Sequence, residues 1–255
     1  MSVLYTNAIL AVRSTQLLNA DRIRRMIAMN TVEDATDILH ECGWDLFAAN
    51  IFEAELTRVI SDFKELCPNP ILAEIVFAKA SFDQEGAADI KTIQNYYNQQ
   101  FARLKQLKNK DITNYFKAEL DLLNLRTFAK VRAIGSKPSN IFIEGGNVTE
   151  GELMSIFERN TAKVKTAIGN LEFSELLDKL TEGLDSGSLT EFENASQSYL
   201  VKLSKEGGED SFRLNPLFHW YIAKMEELRV VKTILTGKKF GKSKEKIREE
   251  LQGVL

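Results

Sequence analysis

Proline, cysteine, histidine and long apolar runs are all scarce in this chain of 255 residues. Four prolines leave long stretches uninterrupted by the residue that breaks helices, and good helix formers fill those stretches. Cys42 and Cys67 lack the spacing of a metal site or a redox motif, so we expect two reduced cysteines that pack as small apolar side chains. Two histidines offer little material for a catalytic triad or a histidine-bound metal ion. No run stays apolar over the roughly 20 residues that a membrane-spanning helix needs.

The charge balance also excludes some classes of protein. The net charge of −3 and the pI near 5.7 give no overall attraction to nucleic acid or to anionic lipid, so we expect no nucleic-acid partner. The first residues lack a basic segment followed by a long apolar run, so no secretory signal is expected. With 44% hydrophobic and 27% charged residues, the composition is that of an ordinary globular protein with a sizeable core.

Apolar residues recur at helical spacing along most of the chain, and capping residues mark several helix starts. The pattern predicts helices over residues 2–18, 44–66, 89–108, 112–134, 172–182, 188–204, 216–237 and 244–252, and short helices after Asn19 and Thr31. Asn215 and Ser243 are the predicted N-caps of the last two helices. Thr149 and Glu152 form a predicted capping box before another short helix. The one strand-like stretch, residues 141–143, lies inside a loop, so the predicted fold is all-α.

One helical pattern occurs twice. Residues 122–135 read LLNLRTFAKVRAIG, and residues 228–241 read LRVVKTILTGKKFG. The matching positions are Leu122 and Leu228, Leu125 and Val231, Arg126 and Lys232, Thr127 and Thr233, Ile134 and Phe240, and Gly135 and Gly241. Repeated helical units bury apolar faces against their neighbours, so the repeat defines the architecture. It contains no nucleophile, acid–base pair or metal-binding cluster, and it favours a mechanical role.

Arg126 and Lys232 occupy the same position in the two copies. Each follows a leucine of the apolar stripe by four residues, so each lies beside the apolar face of its helix. Two interpretations stay open. One is an ion pair that holds neighbouring helices together, with Glu119 as the partner of Arg126. The other is a positive charge that is presented to a partner protein.

The stretch 237–248 is rich in positive charge. It contains Lys238, Lys239, Lys242, Lys244, Lys246 and Arg248, with Glu245 among them. Near an anionic membrane surface such residues contribute about 1 kcal/mol each, but a solvated helix–turn–helix surface is the simpler interpretation. Residues 237–243 resemble a phosphate-binding loop, but three residues separate Gly237 from Gly241 where such a loop has four. The element that precedes them is a predicted helix, whereas a phosphate-binding loop follows a β-strand. A helix C-cap at Gly237 and an N-cap at Ser243 explain the same residues.

Other chemical candidates have simple structural explanations. The adjacent residues His40-Glu41-Cys42 point in different directions on a helix and cannot converge on one metal ion. His219 is expected to be packed or half-exposed. The pair Glu226-Glu227 is expected on a solvated helix face.

Several long segments resemble one protein family in the order in which that family carries them. They are residues 7–44, residues 116–135 (FKAELDLLNLRTFAKVRAIG), residues 141–157 (IFIEGGNVTEGELMSIF) and residues 215–251. These segments are similar to the C subunit of V-type/A-type rotary ATPases, which is the d subunit of the vacuolar enzyme. The resemblance implies an all-helical funnel of three similar units. It also implies a non-catalytic adaptor that joins the central-stalk subunits to the membrane ring of proteolipid subunits and transmits rotation during ion transport.

The resemblance further implies a peripheral position at the cytoplasmic side of the membrane, and we expect no cofactor and no metal ion. The expected partner-binding residues are Arg126, Lys232, Lys238, Lys239 and Lys242. Two alternatives remain. One is a helical scaffold of related descent outside any rotary complex, and the other is an enzyme whose site is built from residues distant in sequence.

The chain departs from the family pattern at one point. Family members carry the repeated helix three times, whereas this chain carries it near 112–135 and 216–241 only. One unit is expected to be missing near 83–89, which leaves two of the usual three units in a single all-helical domain of this family over residues 1–255. Loss of one wall of the funnel is expected to expose apolar surface on the remaining units.

Overall fold

The protein is built from helices joined by turns and short loops. A computed structural model describes residues 2–85, 88–136, 140–157, 171–205 and 213–252, and those residues form twelve α-helices and no β-strand. The helices are α1 (Val3–Ser14), α2 (Ala20–Ala28), α3 (Val32–His40), α4 (Ile51–Leu66), α5 (Pro70–Glu85), α6 (Ile90–Leu107), α7 (Lys110–Ala133), α8 (Glu150–Phe157), α9 (Leu171–Ser186), α10 (Thr190–Lys205), α11 (Asn215–Lys239) and α12 (Lys244–Glu250). The all-α prediction is confirmed, and the strand-like residues 141–143 lie in a loop.

Four predicted helix starts are confirmed by their caps. The side chains of Asn19, Thr31 and Ser243 accept backbone N–H groups from the first turns of α2, α3 and α12. The capping box at α8 is reciprocal, because Thr149 Oγ1 accepts the backbone N–H of Glu152 while the Glu152 carboxylate accepts that of Thr149. These caps depend on residues within one turn, so the sequence alone can identify them.

The helix predicted over 44–66 begins later, at Ile51. Asn50 is its N-cap, because the Asn50 side chain accepts two backbone N–H groups of the first turn. Residues 46–50 form turns and bends instead, after a left-handed Gly43 with φ of +77° ends the preceding turn. The cap at residue 50 therefore overrides the apolar periodicity before it.

The predicted start of α11 was wrong by one position. Asn215 is the first helical residue and is buried, whereas Leu214 occupies the cap position without a side-chain hydrogen bond. Pro216 lies in the first turn, where its missing N–H costs nothing and its fixed φ suits the helix. The proline therefore opens this helix without a polar cap.

The predicted C-cap at Gly237 was also wrong. The helix α11 continues to Lys239, and the left-handed residue that follows it is Gly241, with φ of +67°. Gly237 is buried inside the helix, where an added Cβ would lie 2.8 Å from Cγ1 of Ile247. Glycine is needed at this position because α12 approaches α11 closely there.

The first compact unit comprises residues 1–73 and 204–255. Its central helix is α11, which packs against α1, α3, α4 and α12, while α2 packs against α3 and α12. The core contains apolar side chains of α2, α3, α11 and α12, among them Met26, Ile27, Leu39, Val231 and Ile234. Leu228 and Val231 of the second repeat copy are therefore core residues of this unit.

The second compact unit comprises residues 74–203. Its central helix is α7, which packs against α6, α8 and α9. Leu122 and Leu125 of the first repeat copy are buried in this unit. Each unit is thus built around one copy of the repeat. The loss of a third unit near 83–89 stays a prediction.

Candidate partner-binding surfaces and buried charge clusters

Arg126 on α7 and Lys232 on α11 are both exposed. Neither side chain forms an ion pair or a hydrogen bond with another residue in the described part of the chain. The interpretation that paired Arg126 with Glu119 was wrong, because Glu119 Oε1 lies 2.5 Å from Lys79 Nζ instead. Within each unit, the repeat therefore presents a cation to solvent at the same position.

Two lysines of the basic stretch bind the end of α2. The Lys238 ammonium donates to the backbone carbonyls of Ile27, at 3.1 Å, and Met29. The Lys244 ammonium donates to the carbonyl of Ala28 and to a side-chain oxygen just beyond it. Carbonyls at a helix C-terminus lack intrahelical partners and carry partial negative charge, so both contacts stabilise this helix end. Burial, and then the charge of Lys244, lowers the pKa of Lys238.

Two other residues of the basic stretch, Lys239 and Lys242, are exposed. Lys242 Nζ lies 2.6 Å from a carboxylate oxygen of Glu250. Lys239 is exposed and forms no ion pair with any residue that the structure describes. Three of the five predicted partner-binding residues therefore form no ion pair with any residue that the structure describes, namely Arg126, Lys232 and Lys239.

A buried charge cluster lies in the core of the first unit and is called the Lys224 cluster. Lys224 Nζ lies 2.8 Å from Glu227 Oε1 and 3.5 Å from Glu55 Oε1, and the three side chains are at most 4% exposed. Arg58 donates two hydrogen bonds to the Glu55 carboxylate, at 2.8 and 2.6 Å. Two cations thus neutralise two carboxylates, as the burial of charge requires.

Glu227 also connects α11 to two segments that are distant in sequence. Its carboxylate accepts the indole N–H of Trp44 and the backbone N–H of Leu18, both at 2.9 Å. The expectation that Glu227 lies on a solvated helix face was therefore wrong. The apolar residues three and four positions after Glu227, Val230 and Val231, place it beside the apolar face of α11, a signal that sequence reasoning passed over.

Asp121 of α7 occupies the repeat position that Glu227 occupies in α11, since each directly precedes a matched leucine. The Asp121 carboxylate accepts the backbone N–H groups of Asn147, at 3.0 Å, and Val148, at 3.1 Å. It also accepts the side-chain amide of Asn147, at 3.0 Å. Each unit therefore uses a buried acid at the same repeat position to bind a neighbouring loop.

The loop over Asp121 needs glycine at one position. A Cβ on Gly146 would lie 2.0 Å from Asp121 Oδ1, so no other residue fits without displacement of the loop. Burial raises the pKa of Asp121 to about 6, although the hydrogen bonds from Asn147 and Val148 act to lower it.

A second buried charge cluster lies in the second unit. Lys79 Nζ is 2.5 Å from Glu119 and 3.2 Å from Asp83, and the Tyr97 hydroxyl donates to Glu119 at 3.3 Å. Burial acts to lower the pKa of Lys79, but the charges of Glu119 and its neighbours outweigh it, so this pKa lies well above its ordinary value. Both units thus contain a buried lysine that pairs with carboxylates.

The histidines and cysteines do not come together. His40 is exposed, Glu41 is ion-paired elsewhere, and Cys42 is buried. His219 is half-buried, with Nδ1 at 2.8 Å from Ser204 Oγ, and burial lowers its pKa. Among the residues that the structure describes, no three potential metal ligands cluster, and no helix has the length and hydropathy to cross a bilayer.

Comparison with known proteins identifies relatives of this chain. The family of the ATP synthase (C/AC39) subunit matches residues 69–250. The A-type ATP synthase C subunit of Haloquadratum walsbyi is 22% identical over 230 residues, which cover 88% of this chain and 60% of that protein. The protein of the same name from Halorubrum lacusprofundi is 29% identical over 142 residues, which cover 54% of this chain and 40% of that protein. The chain thus spans 40% to 60% of the length of these two relatives.

Proposed function

Because the chain belongs to the C/AC39 subunit family of ATP synthases, we propose that it is a non-catalytic adaptor of a V-type/A-type rotary ATPase. The adaptor links the central-stalk subunits to the membrane ring of proteolipid subunits and passes rotation between them during ion transport. It lies at the cytoplasmic side of the membrane and attaches through the ring. The observation that carries this proposal is the family match over residues 69–250.

The construction of the two units supports a mechanical role. A part that transmits torque must keep its shape under load, and densely packed interiors transmit strain because they are hard to compress. Each unit packs one long central helix, α7 or α11, against at least three others. Each also contains buried ion pairs, and removal of one partner from such a pair is costly.

We propose that the stalk subunits contact the faces of α7 and α11 that carry Arg126 and Lys232. Substitution of both by alanine should leave the helical content intact, because neither side chain has a partner among the described residues. Loss of two interfacial charges should weaken stalk binding about fivefold or more, mainly through slower association, and the effect should shrink at high salt. Biolayer interferometry with immobilised stalk subunits measures both rates.

A matched control for this experiment is Lys64→Ala with Lys105→Ala. It removes the same charge from exposed positions on α4 and α6. Affinity for the stalk should stay within about twofold of the unsubstituted protein, since isolated surface charges contribute little. Equal affinities for the test and control variants would assign Arg126 and Lys232 to ordinary solvated surface.

Co-purification tests the adaptor proposal as a whole. The chain is mixed with the central-stalk subunits and the detergent-solubilised proteolipid ring of its own organism, and light scattering gives the mass of the assembly. A complex that contains stalk, ring and one copy of this chain is the expected result. Binding to neither partner would contradict the proposal.

One alternative is a helical scaffold of related descent outside any rotary complex. The unit that is expected to be missing near residues 83–89 favours this alternative, because a scaffold needs no complete socket for a stalk. A well-folded chain that binds neither stalk nor ring would favour this scaffold. A stoichiometric complex with both would exclude it.

A further inference from the structure

The outward face of α1 is apolar. Six large apolar side chains are exposed in the described part of the chain, and three of them lie on this one helix. Those three, Leu4, Tyr5 and Val12, are 53%, 57% and 68% exposed. At about 100° per residue they fall within about 120° of arc, together with two exposed alanines, Ala8 and Ala11. Single exposed apolar residues indicate nothing, but a contiguous apolar patch marks an interaction site, and these five residues are called the α1 face.

The first unit holds α1 by the opposite side of the helix. Thr6 and Leu10 are buried there, and Thr6 Oγ1 donates to the backbone carbonyl of Leu66 at 2.8 Å. Arg13 lies on the same side, 2.7 Å from Asp62. The helix also packs against α11. Because these contacts anchor α1 by its other side, the packing of the first unit does not account for the apolar residues of the α1 face.

The charge of α1 narrows the kind of surface that can cover it. No side chain from Val3 to Val12 carries a charge at neutral pH, and the first charged residue of the helix, Arg13, is paired with Asp62. A helix that lies on a membrane surface has lysines or arginines along its polar face, which bind anionic lipid. The α1 face has no such neighbours, and a charged protein surface would lose solvation there without gaining an ion pair. The surface that fits is therefore an uncharged apolar one.

The α1 face is complementary to itself. A two-fold interface brings the same patch of two copies together, so residues at equal distances on either side of the axis oppose each other. With the axis at Ala8 and the two helices antiparallel, Leu4 opposes Val12 and Tyr5 opposes Ala11. Each larger side chain then meets a smaller one, and no like charges meet. The two copies of Ala8 oppose each other at the axis, where their small side chains let the helices approach closely.

We propose that the α1 face joins two copies of this chain in solution, with the two α1 helices antiparallel about a two-fold axis at Ala8. The exposed part of the α1 face is on the order of 400 Å² per copy, against the roughly 800 Å² per partner of a standard interface. The dimer is therefore weak, with a dissociation constant on the order of 10–100 µM. This inference goes beyond the proposed function and does not rest on it, since it concerns the chain before it joins any complex.

Sedimentation velocity tests the dimer with the chain alone, from about 5 to about 500 µM, and the unsubstituted chain should shift from monomer to dimer over this range. Ala8→Glu places two like charges opposite each other at the axis, so it should raise the dissociation constant at least about tenfold, and Ala8→Lys should do the same. An equimolar mixture of the two variants brings opposite charges together at the axis and should restore the dimer. The control Ala102→Glu adds a charge at an exposed position of α6 and should leave the dissociation constant within about twofold.

Several results would overturn the proposed dimer. An unsubstituted chain that stays monomeric at about 500 µM would do so, as would a dimer that Ala8→Glu and Ala102→Glu weaken equally. A mixture of Ala8→Glu and Ala8→Lys that stays monomeric would overturn the two-fold pairing at Ala8, and assemblies larger than a dimer would overturn a closed two-fold contact. Circular dichroism should be the same for all variants, because the substituted side chains are exposed. The adaptor role is tested separately, by binding of the unsubstituted chain to stalk and ring.

Discussion

Replacement of Lys224 by methionine tests whether the Lys224 cluster holds the first unit together. Methionine keeps a long unbranched side chain in the cavity and removes the charge. After the substitution, the buried carboxylates of Glu227 and Glu55 are opposed by one cation, Arg58, in place of two. The cluster then carries an uncompensated negative charge in a core that is almost inaccessible to water.

The expected loss of stability follows from the contacts that remain. Removal of one partner from a buried ion pair costs about 3–5 kcal/mol, because the other charge is left without compensation. Arg58 still binds Glu55, and the N–H groups of Trp44 and Leu18 still bind Glu227. We therefore expect the lower end of the range, about 3 kcal/mol. That is a large part of the roughly 5–15 kcal/mol that a domain has in total.

Tryptophan fluorescence during urea unfolding reports on this unit, because both tryptophans, Trp44 and Trp220, belong to it. The free energy of unfolding should fall by about 3 kcal/mol for Lys224→Met. The matched control Lys232→Met removes an exposed lysine from the same helix and should change the free energy by less than about 0.5 kcal/mol.

A second variant tests the coupling within the cluster. Lys224→Met with Glu227→Gln removes both charges of the closest pair, so it should recover part of the lost stability. Two results would refute the reasoning. One is a loss below about 1 kcal/mol for Lys224→Met, and the other is a double variant whose loss equals the sum of the two single losses.

Two further predictions concern glycine packing and pH. Gly237→Ala should lower the free energy of unfolding by about 1 kcal/mol, because a Cβ 2.8 Å from buried Ile247 costs more than the gain in helix propensity. Gly151→Ala, where the added Cβ has no heavy atom within 4 Å, should instead raise the free energy of unfolding by up to about 1 kcal/mol. Thermal unfolding followed by circular dichroism compares the two, and shifts of the same sign would contradict the packing argument. Because the pKa of Asp121 is raised to about 6, the folded state binds a proton on the Asp121 carboxylate more tightly than the unfolded state does. The contribution of this proton to stability is therefore complete below about pH 4 and is lost as the pH rises through 6. The difference in unfolding free energy between Asp121→Asn and the unsubstituted protein should therefore change by about 2–3 kcal/mol between pH 4 and pH 7, and a constant difference would refute the role of Asp121.

The helices were predictable where their signals are local. The starts of α2, α3, α8 and α12 follow from caps whose donor and acceptor lie within one turn, so the sequence contains all the information. The errors at Asn215 and Gly237 have a different origin. Asn215 is buried by the tertiary fold, and Gly237 makes room for Ile247 of another helix. A prediction that considers only one helical turn at a time cannot detect such contacts.

The buried charge clusters were not predicted, because the partners come from distant parts of the chain. Glu227 was expected on a solvated helix face beside Glu226, yet it binds Trp44 and Leu18 across the fold. The signal was nevertheless available in the repeat. Extension of the alignment by one residue pairs Asp121 with Glu227, and an acid repeated directly before a buried leucine indicates a structural role.

The repeat-matched positions divide into those that the fold explains and those that it does not. The matched leucines pack in the cores, the matched acids bind loops, and the matched glycines end the helices in the left-handed conformation. The matched threonines, Thr127 and Thr233, donate to backbone carbonyls four residues earlier in their helices. Two matched pairs then remain, Arg126 with Lys232 and Ile134 with Phe240, and all four side chains are exposed. Since neither unit needs these residues for its own packing, their repetition indicates a requirement from outside the units. Contacts with partner proteins should therefore concentrate at these two positions of the repeat.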